Sequence, residues 1–486
     1  MIAIRTNRPE YRNDIAEEIR LFSGLTEIVL FEEADAGRAE LIFNIRLDCS
    51  DESYMLSAGA GGLSYSDAFQ LPPGATALER KRIEKRRIKL ACYHLLKRLY
   101  PNVETPWGSL TGIRPTKLFR ELSGKGGVAF ARKTFIETFD VSAEKTALAE
   151  RICAVQSPYI DAVSEKDIDV YAGIPFCKTK CLYCSFASEV LRDPGRLSDY
   201  LRVLKLDIAC GAQIVSEQGL HVRSFYMGGG TPTVLSASQL DELLTYVLEQ
   251  YGTFGTECTV EAGRPDTIDP EKLKTLKRLG VTRVSINPQT TNDETLRRVG
   301  RTHTADDIRN AYALARETGF DAINMDLIAG LPGETPDDML RSCDEISMLK
   351  PDNLTVHALA IKRSSRLKLE LNDYALADAK TAREMTDIGA ACAEALGMRP
   401  YYMYRQKYMS GNLENVGYAT PGKECAYNID MMEETASILS HGAGTMTKRV
   451  FGGENRIERL PSPKDVPTYL NKLDRLCMEK RLFFGK

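Results

Sequence analysis

From residue 167 onwards, short apolar runs alternate with longer amphipathic stretches. The runs are rich in β-branched and aromatic residues, which favours strands, and the stretches between them have the period of helices. The six predicted strands lie in DVYAGI, VRSFYMG, ECTVEA, VTRVSIN, AINMDLI and NLTVHALA. Neighbouring parallel strands need crossover connections, and helices between the strands supply them. The pattern therefore predicts an α/β fold, and we favour a partial (β/α)6 barrel over a flat doubly wound sheet.

The regions on either side of these strands have different patterns. Alternation in LTEIVLFEE, AELIFNIRLDC and ESYMLSAG predicts strands, and residues 76–100 predict one long helix with a basic outer face. After residue 362 the pattern is mainly helical and includes the tyrosine-rich stretch YYMYRQKYMSGNLENVGYATPG. We therefore expect three domains, which are a small α+β accessory domain (1–165), the partial barrel (166–361) and a mainly helical C-terminal domain (362–486).

The composition is that of a globular protein. Hydrophobic residues make up 43% of the 486 residues and charged residues 27%, which excludes a wholly disordered chain or a coiled coil. Basic residues (64) nearly balance acidic residues (67), so the net charge of -3 gives no support for nucleic-acid binding. No apolar run is long enough for a signal peptide or a membrane span, and we expect a cytoplasmic protein.

Three of the twelve cysteines form a cluster directly after the first predicted strand. Cys177, Cys181 and Cys184 have the spacing C-x3-C-x2-C, whereas the other cysteines are scattered among apolar neighbours. A structural zinc site usually takes four protein ligands. Three thiolates suit a [4Fe-4S] cluster that leaves one iron open to a small molecule. We favour the cluster, with a zinc site and a pair of redox thiols as the alternatives.

This loop and four later motifs resemble the radical S-adenosylmethionine (SAM) superfamily. The context YxGIPFCxxxCxYCSF is similar to the branch of oxygen-independent coproporphyrinogen III oxidases. The later motifs are FYMGGGTPT (225–233), TVEA (259–262), the pair Gln289 and Arg301, and NMDLIAGLPGET (324–335). The flanking PWGSLTGIRPTKLF and GYATPGKECAYNIDMMEE resemble the HemZ-type coproporphyrinogen dehydrogenases, which have an additional N-terminal region.

The resemblance implies two cofactors, a [4Fe-4S] cluster and SAM. It makes Cys177, Cys181 and Cys184 the cluster ligands and catalytic residues. Glycines after the second strand would let the backbone approach the methionyl part of SAM, Arg301 would bind its carboxylate, and Asp326 would bind its ribose. The implied SAM-binding residues are Tyr171, Phe186, Gly228, Gly229, Gly230, Thr231, Glu261, Gln289, Arg301 and Asp326.

The resemblance also implies an oxidoreductase of heme biosynthesis. In that family, SAM cleavage yields a radical that removes a hydrogen atom from a propionate of coproporphyrinogen III; loss of CO2 and one electron then leaves a vinyl group, and two such events give protoporphyrinogen IX. The implied partners are this tetrapyrrole, which the C-terminal domain would cover, and an electron donor such as flavodoxin or ferredoxin. Candidate substrate contacts are Lys362, Arg363, Arg366, Arg399, Tyr401, Tyr402, Tyr404, Arg405 and Lys407.

Two other functions remain open for a chain with these motifs. One relative of the branch binds SAM and a cluster but transfers heme, and it has a His-Asn-x-x-Tyr-Trp motif in its C-terminal part. Here the corresponding residues 424–428 are ECAYN, without His or Trp, although Cys425 is a possible heme ligand. The other function, radical modification of RNA, is disfavoured by the balanced charge.

Overall fold

The computed structural model describes residues 1–24, 27–31, 39–50, 53–112, 114–362, 364–406, 412–452 and 456–485. They form two compact units, residues 1–150 and residues 151–486. The predicted division into domains at 165 and 361 stays a prediction. Within the described ranges, no helix combines the length and the apolar character that are needed to cross a bilayer.

The first unit contains a five-stranded sheet in the order β2-β1-β3-β4-β5. Its strands are β1 (Ile2–Thr6), β2 (Ile28–Leu30), β3 (Leu41–Ser50), β4 (Ser53–Ala60) and β5 (Leu63–Gln70). The helices of this unit are α1 (Arg12–Ser23), α2 (Ala77–Leu99) and α3 (Pro115–Lys133), and α4 (Ala143–Asp161) continues past the last residue of the unit. Every second residue of β4 is buried, as expected for a sheet with one face against a core.

The long helix α2 forms where the sequence predicts it. A capping box between Thr76 and Glu79 fixes its first turn, because each side chain accepts a hydrogen bond from the backbone of the other. Its apolar face, which includes Ile88, Tyr93 and Leu96, is buried in the same core as the inner face of the sheet. The strands and this helix confirm the expected α+β character. The strands β1 and β5 and the helix α1 were not anticipated.

The second unit contains an eleven-stranded sheet in the order β14-β15-β13-β12-β11-β10-β9-β6-β16-β17-β18. The six predicted strands are its centre, adjacent in space and parallel throughout. They are β6 (Asp167–Ile174), β9 (His221–Gly229), β10 (Glu257–Glu261), β11 (Arg283–Ser285), β12 (Ala322–Ala329) and β13 (Asn353–Ala358). This arrangement confirms the α/β fold, and the sheet remains open in the described residues.

Helices alternate with these strands, as the amphipathic stretches predict. They are α5 (Pro194–Gln218), α6 (Ala237–Tyr251), α7 (Pro270–Arg278), α8 (Asp293–Arg298), α9 (Ala305–Thr318) and α10 (Pro336–Leu349). Two short strands, β7 (Phe176–Cys177) and β8 (Glu189–Val190), pair beside the cysteine cluster.

The C-terminal region contributes helices and also five strands of the large sheet. Its helices are α11 (Arg366–Leu369), α12 (Ala379–Ala395), α13 (Ala426–Glu433), α14 (Val466–Asn471) and α15 (Leu473–Phe484). Its strands are β14 (Arg399–Tyr404), β15 (Asn415–Ala419), β16 (Ser437–His441), β17 (Met446–Phe451) and β18 (Arg456–Pro461). The strand β16 pairs in parallel with β6, so the C-terminal region extends the sheet at both edges.

A buried ion pair joins the last helix, α15, to the helix α5. Asp207 on α5 accepts hydrogen bonds from Lys480 on α15 at 2.5 Å and from Tyr469 at 2.8 Å, and His441 Nδ1 lies 3.1 Å away. The side chains of Asp207, Lys480 and His441 are fully buried. Burial alone would raise the pKa of Asp207, but the charges of Lys480 and His441 lower it well below its usual range. The carboxylate is therefore ionised and depends on its partners.

Replacing Lys480 with Met should lower the free energy of unfolding by about 3–5 kcal/mol, because it leaves a buried carboxylate without its main counter-ion. Urea unfolding followed by far-ultraviolet circular dichroism measures this change. The matched control is Arg475→Met on the same helix, which breaks an exposed ion pair with Glu479 and should cost no more than about 1 kcal/mol. Equal small effects of the two substitutions would contradict the prediction.

Candidate functional site

One cavity lies at the carboxyl ends of the parallel strands of the second unit. Its volume is about 440 Å³. Polar residues from four neighbouring strands or the turns after them line it, namely Glu261, Asn287, Asp326 and His357. Because ligands of open α/β sheets and barrels bind at this end of the strands, the location agrees with the expected site.

The three clustered cysteines all line this cavity. Cys177 ends the short strand β7, and Cys181 and Cys184 follow in a loop. Hydrogen bonds hold the loop from outside: Leu182 N donates to the carbonyl of Val299 at 2.9 Å, and Thr179 Oγ1 donates to the carbonyl of Gly300 at 2.7 Å. The loop is therefore positioned by the segment that follows α8.

The glycine turn after β9 lies directly against the cysteine loop. A Cβ atom on Gly230 would stand 2.5 Å from the carbonyl oxygen of Phe176 and 2.9 Å from Cys177 Sγ, so no other residue fits. Gly229 has a φ of +111°, which is a conformation open to glycine. Thr231 lines the cavity, and its Oγ1 lies 3.6 Å from Cys177 Sγ. The structure thus brings this predicted motif next to the first cysteine.

Glu261 ends β10 and faces the cavity next to the glycine turn. A Cβ atom on Gly228 would lie 2.9 Å from the carboxylate, so glycine at this position leaves room for the Glu261 side chain as it stands. Tyr226 donates a hydrogen bond to Glu261 Oε1 at 2.8 Å. Burial raises the pKa of Glu261 to about 7, and the charge of Asp326 adds to this effect. The carboxyl group is therefore close to half-ionised at neutral pH.

Gln289, Arg301 and Asp326 also line the cavity, as the resemblance implies. Arg301 Nη1 donates to the carbonyl of Asn287 at 2.6 Å. Gln289 has a φ of +71°, and its backbone N–H donates to the carbonyl of Asp326 at 2.9 Å. Burial opposes ionisation of Asp326, but its hydrogen bond with His357 lowers the pKa of this carboxyl group. The three residues come together although 37 positions separate the first from the last.

Several buried polar atoms in this part of the cavity have no hydrogen-bond partner among the described residues. They are Asn287 Oδ1, Gln289 Oε1 and Arg301 Nε. Because a buried polar group without a partner costs free energy, such atoms point to a ligand that would complete them. Their position beside three thiols suits a cofactor with both hydrogen-bonding groups and a metal-binding end.

The donor set fits an iron–sulfur cluster. Among the described residues, no three His, Cys, Asp or Glu side chains surround a single metal ion. In a [4Fe-4S] cluster each thiolate binds a different iron, so its ligands need not surround one point. Three cysteines on one cavity leave a fourth iron for a small molecule, and the unpartnered polar atoms would hold that molecule.

The two predicted aromatic contacts lie in different surroundings. Phe186 lines the edge of the cavity with 70% of its surface exposed. Tyr171 is not among the described residues that line the cavity; its ring stacks at 6.1 Å on both Tyr226 and Tyr427. Tyr226 does line the cavity, so Tyr171 lies behind it. The roles of Tyr171 and Phe186 in SAM binding stay predictions.

The substrate candidates divide into cavity residues and others. Lys362, Tyr401, Tyr402 and Tyr404 line the cavity. Arg366 pairs with Glu370, and Arg399 lies 3.8 Å from Glu424; about half of each arginine side chain is exposed. Arg405 is buried and donates a hydrogen bond to Asn412. Arg363 and Lys407 lie outside the described residues.

Sequence reasoning missed several polar residues of the cavity. Those within the strands are Thr259, Arg283, Asn324, Asn353 and Thr355. Arg264 lines the cavity from the loop after β10. A parallel strand that is buried on both faces is normally apolar throughout. Polar residues at every second position, as in Asn353-x-Thr355-x-His357, were therefore a signal for a strand face that lines a cavity.

Comparison with known proteins agrees with this site. The profile of the radical SAM superfamily matches residues 171–346. The oxygen-independent coproporphyrinogen-III oxidase-like protein HemZ of Bacillus subtilis is 35% identical over 450 residues, which covers 91% of this chain and 90% of HemZ. The heme chaperone HemW of Haemophilus influenzae is 29% identical, covering 61% of this chain and 75% of HemW.

A solved structure shows the same fold. Coproporphyrinogen III oxidase (HemN) from Escherichia coli superposes with a TM-score of 0.51 at 23% sequence identity, over 67% of this chain and 73% of HemN. The match to HemZ extends over nearly the whole length of both chains. The chain therefore belongs to the radical SAM superfamily, in the group of HemZ-like proteins related to the oxygen-independent coproporphyrinogen III oxidases.

Proposed function

We propose that this protein is an oxidoreductase that oxidatively decarboxylates propionates of coproporphyrinogen III to vinyl groups, giving protoporphyrinogen IX. The main observation in support is that the cysteine loop, the polar strand ends and a group of tyrosines share one cavity. Its relatives use a [4Fe-4S] cluster and SAM, and so does this chain as a member of the superfamily. A cytoplasmic location and a flavodoxin or ferredoxin as electron donor belong to the same proposal.

The proposal assigns the cofactors to the predicted residues. The cluster would be bound by Cys177, Cys181 and Cys184. The side-chain atoms of Gln289 and Arg301 that have no partner would form hydrogen bonds with SAM. When bound, the reduced cluster and SAM supply a radical that removes one hydrogen atom from the substrate. The residues of this chain orient SAM and exclude water from the cavity.

The part of the cavity that is lined by Tyr401, Tyr402 and Tyr404 suits a tetrapyrrole. Tyr402 stacks on Tyr404 with ring centroids 6.4 Å apart, and Tyr401 lies 4.8 Å from Tyr402. Two lysines, Lys180 on the cysteine loop and Lys362 after β13, also line the cavity, and neither has an ion-pair partner among the described residues. Such ammonium groups can bind propionates, and the tyrosines supply the broad apolar surface that a macrocycle needs.

The names of the relatives support two activities. HemN and the HemZ protein are named as coproporphyrinogen III oxidase and oxidase-like, and HemW is named as a heme chaperone. A chaperone role would use Cys425 as a heme ligand. Its thiol donates to Glu257 Oε1 at 3.0 Å, and burial raises its pKa well above the usual value. Because a metal binds the thiolate, this environment disfavours Cys425 as a heme ligand.

The decisive experiment is anaerobic incubation of the cluster-loaded protein with SAM, a reductant and coproporphyrinogen III. We expect 5′-deoxyadenosine together with a product that has lost CO2, both detected by mass spectrometry. Replacing Lys362 with Met should raise the KM for the porphyrinogen and leave SAM binding unchanged, because the residue lies on the substrate side. Stoichiometric heme binding without any release of CO2 would instead identify a heme chaperone.

Replacing Cys181 with Ala should remove the cluster and abolish SAM cleavage, because two thiolates do not hold a [4Fe-4S] cube. Iron and sulfide analysis and the visible absorption spectrum of anaerobically reconstituted protein measure the loss. Cys49→Ala, at an exposed cysteine in the first unit, is the matched control and should keep its full iron content. A normal cluster in the Cys181 variant would refute the ligand assignment.

Binding of SAM should tighten as the pH rises from about 6 to 7. The pKa of Glu261 is raised to about 7, so its carboxylate, which would attract the cationic part of SAM, forms over this range. Tyr226 and Asp326 face it, and Asp326 has a lowered pKa and stays ionised. The dissociation constant should fall by up to about tenfold per pH unit.

Glu261→Gln should weaken SAM binding at pH 7 and remove this dependence, as measured by equilibrium dialysis with cluster-loaded protein. Glu294→Gln, at an exposed residue of α8, should keep the wild-type profile. A pH profile that is the same in wild type and in Glu261→Gln would show that another group is responsible.

A further inference from the structure

A buried arginine outside the family motifs contacts the cysteine loop. Arg264 follows β10, and only 2% of its surface is exposed. Its Nη1 donates to Thr179 Oγ1 at 2.8 Å, and its Nη2 lies 3.3 Å from Thr302 Oγ1. Thr179 belongs to the cysteine loop and Thr302 to the segment after α8. One guanidinium group therefore ties three separate loops together.

The same guanidinium group points at a cluster ligand. Arg264 Nη1 lies 4.0 Å from Cys181 Sγ, within reach of an N–H···S hydrogen bond. Its other side pairs with Asp266, whose Oδ1 lies 3.1 Å from Arg264 Nε. Burial opposes ionisation of Asp266, but the hydrogen bonds of Arg264 and Thr302 lower its pKa far below the usual range. Both members of the pair are therefore charged.

The balance of charge around this pair is positive. Lys178 Nζ lies 3.4 Å from Asp266 Oδ2, and Arg301 lies beside Cys181. His303 is 2% exposed and lies 3.9 Å from Asp266 Oδ1; burial lowers its pKa to about 3, so it adds no charge. Two cations, Arg264 and Lys178, thus face the carboxylate of Asp266, and Arg301 adds a further positive charge beside Cys181.

We propose that Arg264 is a positioning residue that fixes Cys181 and raises the reduction potential of the cluster. This inference rests on the cluster assignment above, but not on the identity of the substrate. An added electron makes a thiolate-bound cluster more negative, and a hydrogen bond or a positive charge at a ligand sulfur stabilises that state. Loss of the guanidinium group should therefore make reduction less favourable.

The experiment is an anaerobic redox titration of the reconstituted full chain, followed by electron paramagnetic resonance and without SAM or porphyrinogen. Dithionite is the reductant; each ion gives two electrons, one to each of two clusters, and is oxidised to sulfite. The variants are Arg264→Met, which removes the charge and all donors, and Arg264→Lys, which keeps the charge but cannot reach all partners. Arg297→Met, at an exposed arginine of α8, is the control.

We expect reduction of the cluster in Arg264→Met to be about tenfold less favourable, a midpoint about 59 mV below wild type for one electron. The midpoint potential of Arg264→Lys should lie between those of Arg264→Met and wild type, and the midpoint of Arg297→Met should equal that of wild type. The cluster of Arg264→Met should also lose iron to a chelator faster than wild type, because the loop is no longer tied.

A wild-type midpoint in Arg264→Met with an intact cluster would overturn the proposal. If Arg264→Met binds no cluster, the midpoint potential of Arg264→Lys is the test. A midpoint below that of wild type supports the proposal that Arg264 raises the reduction potential, and an unchanged midpoint refutes it. Wild-type protein that binds no iron and sulfide would instead refute the cluster assignment, so the two failures are distinguishable.

Discussion

The site depends on the hydrogen bonds that hold the cysteine loop from outside. Apart from the two paired positions between β7 and β8, the described residues of the loop form no β-sheet hydrogen bonds with one another. Its position comes from bonds to distant segments: Leu182 N donates to Val299, Leu367 N donates to Leu182, and Thr179 donates to Gly300. Since ordering each loop residue costs about 1–2 kcal/mol of conformational entropy, a loop that places three thiols needs such contacts. The protein part of the metal site is thereby organised in advance.

A second constraint is that the face of the parallel sheet that lines the cavity carries polar side chains, which must be paired when they are buried. Arg283 in β11 is buried, and it is accommodated because it donates to Glu257 at 3.1 Å and to the carbonyls of Lys423 and Glu424. Glu257 in turn accepts from Cys425. Charges inside a protein are stable when they are paired and hydrogen-bonded in this way. Among the described residues, the buried polar atoms without a hydrogen-bond partner include Arg283 Nε itself, and also Gln289 Oε1 and Arg301 Nε at the cavity.

The order of elements in the core could be predicted because each strand and helix has its own local pattern. The six parallel strands and the helix α2 formed where the pattern predicts them. The strands β15 and β16 could not be assigned from the local pattern, since they pair with β13 and β6, which are distant along the chain. Arg264 and Arg283 were missed for the same reason. Each is held by partners that are distant along the chain, which are Thr179 and Thr302 for Arg264 and Glu257 and Lys423 for Arg283. The cysteine and glycine motifs were recognised because their spacing along the chain is itself informative.

Trp107 is the only tryptophan of the protein, and it is fully buried in the first unit. Its turn is fixed by Gly108, which has a φ of +50° and leaves no room for a Cβ atom against the carbonyl of Phe139. Indole emission therefore comes from the first unit, because residues 151–486 contain no tryptophan. The chain thus carries an intrinsic fluorescent probe within the unit that precedes the radical SAM sheet, and exposure of this indole to water on unfolding would change its emission.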